Sequence, residues 1–254
     1  MNIARFALEQ LTRNWVLRRR LPRPFVRAPI YVSPGAGLRF LLRSMNHVDP
    51  VLFPLVQEFV AANSIVWDVG ANVGLFAVPA ATIAGANGRV IAFEPDTWLV
   101  QLLRRSALAQ SPATAPITVV PTAVASDVGI RTFVLARRSR QASSLEGYGS
   151  TQTGGALEAI TVLSVSLDWL LDFYPAPTVL KIDVEGAELE VLQGSSRLFE
   201  VARPIVIIEV GSDTAPAVTA FFREHRYELY DGEVPAAERQ PVAQATWNTL
   251  AIPL

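Results

Sequence analysis

The run Val66-Trp67-Asp68-Val69-Gly70-Ala71-Asn72-Val73-Gly74 sets an acid, two glycines and an asparagine on a bend between two apolar stretches. At a strand-to-helix bend, the pattern G-x-G-x-x-G lets backbone N–H groups approach a pyrophosphate. Here Asn72 stands where the second glycine of that pattern would be, and Asp68 precedes the bend. A carboxylate there repels a diphosphate and suits a ligand with a positive end. Glu94 closes "VIAFEP", twenty residues after Gly74, where an acid can accept from both hydroxyls of a ribose. Asp127 ends "AVASD"; it either accepts from an adenine amino group or simply opens a turn before Gly129.

S-adenosylmethionine (SAM) has the required character: an ammonium, a sulfonium and no phosphate. NAD would use Glu94 equally well, so Glu94 argues for a nucleoside without choosing between the two. Downstream, "LKIDVEGAELEVLQG" carries Lys181, the only lysine in the chain. By period-two alternation Lys181 and Asp183 share one side of a strand. Asp183 then falls at the carboxyl end, beside the place where a methyl group would be presented. Its alternative is to cap the following helix, with Glu185 and Glu188 as favourable first-turn charges, while Glu190 reads as a solvated acid. Glu209 closes "IVIIEV". Asp183, Glu185 and Glu209 are the candidate proton acceptors; His47 and His225 read better as a turn residue and a helix-end residue.

These groups can meet only if strands and helices alternate. Strand-like "SIVWDVG" precedes helical "GLFAVPAATIAG", and "RVIAFEP" precedes "TWLVQLLRRSALAQ". Then come "ITVVPTAVA" and a short extra strand, "RTFVLA". After an amphipathic helix near 166–173, "TVLKIDV" precedes "AELEVLQGSSRLF" and "PIVIIEV" precedes "PAVTAFFREH". "YELYD" and "NTLAIPL" follow with no helix between them. The alternation predicts an α/β fold with a mostly parallel, doubly wound sheet. The helix-free final pair predicts an antiparallel hairpin at its edge. In such a sheet ligands bind at the carboxyl ends of the strands, where the winding reverses. The polar stretch 139–155 interrupts the pattern, as a functional loop or a disordered one would.

At 254 residues, half of them hydrophobic, the chain suits one large α/β domain over 51–254 with an extension over 1–50. Residues 3–20 place Ile3, Phe6, Ala7, Leu11 and Trp15 near helical spacing between arginines, predicting a basic amphipathic helix that ends before Pro22. Such a helix caps the domain or lies on a membrane surface. Residues 21–50 hold five prolines and read as irregular, with a small hairpin around Ser33-Pro34-Gly35. Residues 1–46 carry nine arginines against one acid, Glu9, within a chain of net charge −1. That balance does not suit general nucleic-acid binding. Without cysteine, disulfides and thiolate metal sites are excluded, and no ligand spacing demands a metal. Arg5, Glu9 and Arg13 interrupt any signal-peptide core. A cytoplasmic protein is expected, with peripheral membrane contact as the alternative.

From about Val66 to Leu254 the sequence resembles the FkbM family of SAM-dependent methyltransferases. The resemblance rests on "DVGANVG", "IAFEP", "AVASD", Ser143-Ser144-Leu145, "SLDWLL", "KIDVEGAELEVLQG", "IVIIE" and "NTLAIP". "KIDVEGAE" downstream of "DVGAN" is its specific part. It implies a Rossmann-like class I methyltransferase fold with a seven-stranded sheet, SAM as cofactor, and O-methylation of a sugar, glycoside or other small metabolite. By it, Asp68, Gly70, Asn72, Gly74 and Glu94 fall at cofactor positions, with Ala71 in the same turn, and Asp183 beside the reaction centre. Two enzyme rivals remain. A nucleotide-dependent oxidoreductase is disfavoured by Asp68 and Asn72. A nucleic-acid N-methyltransferase would place a proline–aromatic segment where Val184-Glu185-Gly186 stands. Outside enzymes, the rival is a SAM-binding module without catalysis.

Overall fold

Apolar runs such as Ile65–Val69 and Val179–Ile182 are what a parallel strand covered on both faces requires. The computed structural model describes residues 8–9, 11–25, 27–137, 139–149 and 155–254. Near the N-terminus, strands β1 (Leu17–Arg20) and β2 (Pro29–Val32) form an antiparallel hairpin. The central strands are β3 (Ile65–Val69), β4 (Arg89–Phe93) and β5 (Ile117–Val120). A second set follows: β6 (Ala123–Val124), β7 (Gly129–Ala136), β8 (Ser144–Leu145) and β9 (Ala156–Val165). The chain then returns to the central sheet through β10 (Val179–Ile182), β11 (Ile205–Glu209), β12 (Tyr227–Asp231) and β13 (Asn248–Pro253). The seven-stranded sheet has the order β12-β13-β11-β10-β3-β4-β5. Strands β5, β4, β3, β10 and β11 are parallel, and β13 runs antiparallel between β11 and β12. The winding reverses between β3 and β10.

Two apolar layers cover this sheet. Val66, Val90, Ala92, Val179 and Ile207 point to one face, packed with the helix Ala77–Ala84 and the N-terminal segment. Trp67, Val69, Ile91, Phe93, Leu180, Ile182, Val206 and Ile208 point to the other, packed with the C-terminal helices. Period-two alternation therefore fixes the acids. Asp68 follows Val66, Glu94 follows Ala92, Asp183 follows Lys181 and Glu209 follows Ile207, so all four belong to the first face. That is the face roofed by the N-terminal segment, whose Leu21, Phe25, Ile30, Val32 and Phe40 are buried in the same core. The boundary expected near residue 50 is not a break in packing.

Four other expectations change. Residues 8, 9, 11 and 12 are helical, but Arg18, Arg19 and Arg20 lie on β1 and pair across to β2. Residues 13–16, Trp15 included, form a turn and irregular chain rather than helix, and Ile3, Arg5, Phe6 and Ala7 fall outside the described residues. The hairpin lies before Ser33, which itself caps a short 3-10 turn by accepting from Gly35 N–H at 3.0 Å. "ITVVPTAVA" divides at Pro121: β5 stays in the central sheet, while β6 joins a four-stranded sheet ordered β6-β9-β7-β8. The helix expected over 187–199 is two, Glu188–Gln193 and Ser196–Val201, broken at Gly194. A Cβ on Gly194 would lie 2.6 Å from the Ala125 carbonyl oxygen, so the helix ends where it meets the chain leaving β6.

Candidate active site

The turn after β3 is shaped by two close approaches. Gly70 has φ +76°, and a Cβ there would stand 1.8 Å from the Asp183 carbonyl oxygen. Only glycine lets the ends of β3 and β10 come so near. Gly74 has φ +91°, and its Cβ would press on Leu103 at 2.6 Å. Between them Asn72 takes the left-handed conformation, φ 52°, and its Oδ1 accepts from Val73 N–H at 2.8 Å. Gly70 and Ala71 donate their N–H groups to the Phe93 carbonyl at 3.0 and 2.9 Å, tying the turn to β4.

Glu94 completes that tie. Its Oε2 accepts from Asn72 N–H and its Oε1 from Asp96 N–H, each at 2.8 Å. The side chain is buried, and burial pushes its pKa from 4.5 up to about 8, against the pull of those two N–H groups. Each oxygen keeps a free lone pair, and Glu94 lines a cleft of about 560 Å³ together with Gly70, Asn72, Thr122, Phe133 and Asp183. An apolar wall with a few convergent polar groups is the make-up of a small-molecule site.

The far wall of this cleft was not legible as a site. Phe133 comes from β7 and Leu145 from β8, so the second sheet builds it. Arg140, Gln141 and Ser143 of the 139–149 segment also face the cleft. Arg140 is held by Asp96, Nη1 to Oδ2 at 2.5 Å, and lies over the Trp98 ring. The only early signal was Ser143-Ser144-Leu145 in an otherwise unreadable loop. Glu190, expected in solvent, accepts from Ser126 Oγ at 2.8 Å and from Tyr148 Oη at 2.9 Å, tying this loop to the helix Glu188–Gln193.

Two residues expected at the cofactor are not among those lining this cleft. Asp68 does not line the cleft. In register it sits beside Lys181 of β10 on the same face, fully buried, with Lys181 Nζ 3.8 Å from its Oδ1. Burial raises its pKa to about 6 although Lys181 pulls it down, and neither oxygen has a hydrogen-bond partner. Asp127 is largely exposed, pairs with Arg131, and faces away from the cleft. It opens the turn into β7.

The strand ends of β10 and β11 carry the remaining candidate acids. Lys181 Nζ donates to Asp183 Oδ2 at 3.0 Å. Burial alone would depress the Lys181 ammonium, but Asp183, Asp68 and Glu209 together push it above its usual range. Glu185, in the left-handed conformation at φ 55°, is raised to about 8 by burial and by Asp183. Glu209 is raised to about 7 by the same two causes. Glu188 Oε1 braces the bend between them, accepting from Val184 and Gly186 N–H at 3.3 and 3.0 Å. Asp183 and Glu185 line both the first cleft and a second, of about 940 Å³, which also meets Glu209 and Trp247. Behind the glycine turn, a cavity of about 420 Å³ brings Arg39 and Asp49 of the N-terminal segment to Lys181, Asp183 and Glu209. His47 is exposed and bonded to Ser44. His225 stacks on Phe221 at 4.2 Å, within the helix layer. Among the described residues no group of three acids or histidines could hold a metal ion.

A doubly wound sheet with β13 inserted antiparallel, a glycine turn after its first strand and acids at successive carboxyl ends is the class I methyltransferase architecture. Residues 68–229 match the family model described as the methyltransferase FkbM domain. The hexuronic acid methyltransferase AglP of Haloferax volcanii is 27% identical over 222 residues, covering 80% of this chain and 82% of that protein. Methyltransferase sdnD of Sordaria araneosa is 27% identical over 176 residues, covering 58% of this chain and 66% of that one. Methyltransferase FkbM from Methylobacillus flagellatus is a similar solved structure, with a TM-score of 0.47 and 16% identity, covering 98% of this chain and 58% of that chain. The chain belongs to the FkbM family of methyltransferases. Its cofactor is S-adenosylmethionine. The residues fit that group: Glu94 lines the cleft with oxygens able to accept from ribose hydroxyls, beside the turn of Gly70 and Asn72 that lines the same cleft.

Proposed function

We propose that the protein transfers a methyl group to a hydroxyl oxygen of a sugar, glycoside or similar small molecule. One observation carries this reading: Asp183 stands where the cleft lined by Gly70, Asn72 and Glu94 meets a second, open cleft, with Lys181 Nζ 3.0 Å from its carboxylate. S-adenosylmethionine supplies an electrophilic methyl on a sulfonium, whose leaving group is a neutral thioether that needs no proton. The chain must therefore align the acceptor oxygen and dispose of its proton. Alignment contributes up to about 7–11 kcal/mol, and proton removal about 10²–10⁴-fold. Lys181 holds the Asp183 carboxylate in place at 3.0 Å, so Asp183 takes or orients the acceptor's hydroxyl proton. Glu185 and Glu209, raised to about 8 and about 7, lie near working pH and can receive that proton onward. The name of the Haloferax relative, a hexuronic acid methyltransferase, supports a sugar acceptor.

The test is Asp183→Asn, assayed for SAM turnover with glycoside acceptors and for S-adenosylhomocysteine affinity. Turnover falls about 10²-fold or more, with affinity unchanged. Loss of S-adenosylhomocysteine binding with normal turnover at saturation would make Asp183 a cofactor residue and move the base to Glu185 or Glu209. A peripheral membrane contact is supported by one surface feature. Arg18, Arg20, Arg23 and Arg27 are exposed around an open basin at the β1–β2 hairpin, a cationic surface suited to anionic lipid.

A further inference from the structure

The second cleft is one-sided in charge. Asp183, Glu185, Glu188, Glu209 and Asp213 line it, and among the described residues no arginine, lysine or histidine does. The nearby cations already have partners: Lys181 pairs with Asp183 of the cleft and with Asp68 behind it, Arg39 with Asp49, and Arg131 with Asp127 and Glu190. The sequence that continues the loop beyond Gly149, Ser150 to Gly154, carries no charge. Two further observations point to a ligand. Glu188 is 2% exposed, and its Oε2 is buried without a hydrogen-bond partner. Trp247, immediately before β13, leaves its indole 59% exposed at the cleft. A flat apolar face with nothing packed on it suits the C–H face of a ring polyol, whose hydroxyls then meet the carboxylates.

We propose that the second cleft holds the acceptor, a ring polyol stacked on Trp247, and that it selects against negative charge and favours an ammonium-bearing acceptor over a neutral one. This rests on the methyl-transfer reading of Asp183. An acidic acceptor would enter a cleft whose lining acids have no unpaired cation among them to receive it, and would raise those carboxyls further. An ammonium group would relieve the same crowding that raises Glu185 and Glu209. The proposal parts this chain from the hexuronic acid named for its Haloferax relative.

The experiment uses the full chain and three matched acceptors, the methyl glycosides of glucose, glucosamine and glucuronic acid, at about pH 7. Calorimetry with S-adenosylhomocysteine comes first, then saturation-transfer NMR of each glycoside on the loaded protein and methyl transfer with SAM. The expected order is glucosaminide, glucoside, glucuronide, with about tenfold or more between the ends and a smaller gap in high salt. Trp247→Ala weakens the first two about tenfold and leaves S-adenosylhomocysteine affinity unchanged, and Asp213→Asn narrows the gap. The proposal is overturned if the glucuronide binds as well as the others, if none of the three binds protein that binds S-adenosylhomocysteine, or if Trp247→Ala changes nothing. Failure of S-adenosylhomocysteine itself to bind would overturn the methyl-transfer reading beneath it.

Discussion

Replacing Glu94 by glutamine separates the electrostatics of the cofactor cleft from its shape. In the ligand-free protein burial raises the Glu94 carboxyl from 4.5 to about 8. Because the folded value lies above the unfolded one, the folded state holds this proton through a window in which the unfolded chain has lost it. The associated stability is complete below about pH 4.5 and is lost as pH rises through about 8. At 1.36 kcal/mol per pH unit the whole window is worth about 5 kcal/mol. Urea denaturation of the wild type should therefore show stability declining from about pH 4.5 to about pH 8. Glu94→Gln cannot titrate, so its decline should be shallower by up to about 5 kcal/mol. Asp68, Glu185 and Glu209, all raised, keep the remaining slope. The variant carries its own cost, since an amide meets both Asn72 and Asp96 N–H groups where two carboxylate oxygens stood; one unsatisfied donor costs about 1–3 kcal/mol. That cost is independent of pH, so only the slope tests the electrostatics. Ribose hydroxyls donating to Glu94 favour its ionised form, so S-adenosylhomocysteine binding near pH 7 should release a proton. The calorimetric enthalpy should then vary with the ionisation enthalpy of the buffer, and Glu94→Gln should reduce that dependence. Equal pH slopes for the two proteins, or unchanged proton release in the variant, would refute the reasoning.

Lys181→Met leaves Asp68 and Asp183 without the cation that lies 3.8 and 3.0 Å from them. It should cost about 3–5 kcal/mol, lowering Tm by about 10 °C. The loss should be smaller at pH 5.5 than at pH 8, because Asp68 can then take a proton; equal losses would show that the pair is not electrostatically coupled. Serine at Arg18, Arg20, Arg23 and Arg27 should reduce co-sedimentation with anionic vesicles, each arginine being worth about 1 kcal/mol at low salt. Unchanged sedimentation would return the β1–β2 hairpin to a packing role.

The central sheet was legible because its strands are short apolar runs ended by turn residues, and each carried its own acid at the same register. The strand ends alone put Glu94, Asp183 and Glu209 at one edge of the sheet, and alternation put Lys181 beside Asp183. The second sheet was not legible. Strand β9 is exposed over most of its length, so it shows no clean alternation of apolar and polar residues. It is a strand because it pairs with β7 from Gly129 to Ala136, a partner its own residues do not announce. Arg18, Arg19 and Arg20 likewise sit on a strand because β2 receives them; spacing alone read them as the tail of a helix.

Asp68 marks where residue type stops short of role. The sequence placed a carboxylate before the glycine turn and matched it to a ligand's positive end. The register of β3 with β10 sets it beside Lys181 instead, so its positive partner comes from the chain. This changes what the lone lysine does. One ammonium serves Asp68 and Asp183 and also lowers Glu209, while Glu185 and Glu94 are left with raised values of about 8. Burial is the first cause of these raised carboxyls, so a ligand that brings hydroxyl donors or positive charge to them would favour their ionised forms. That is why proton release on S-adenosylhomocysteine binding, and not affinity alone, is the measurement that tests the electrostatics of this edge.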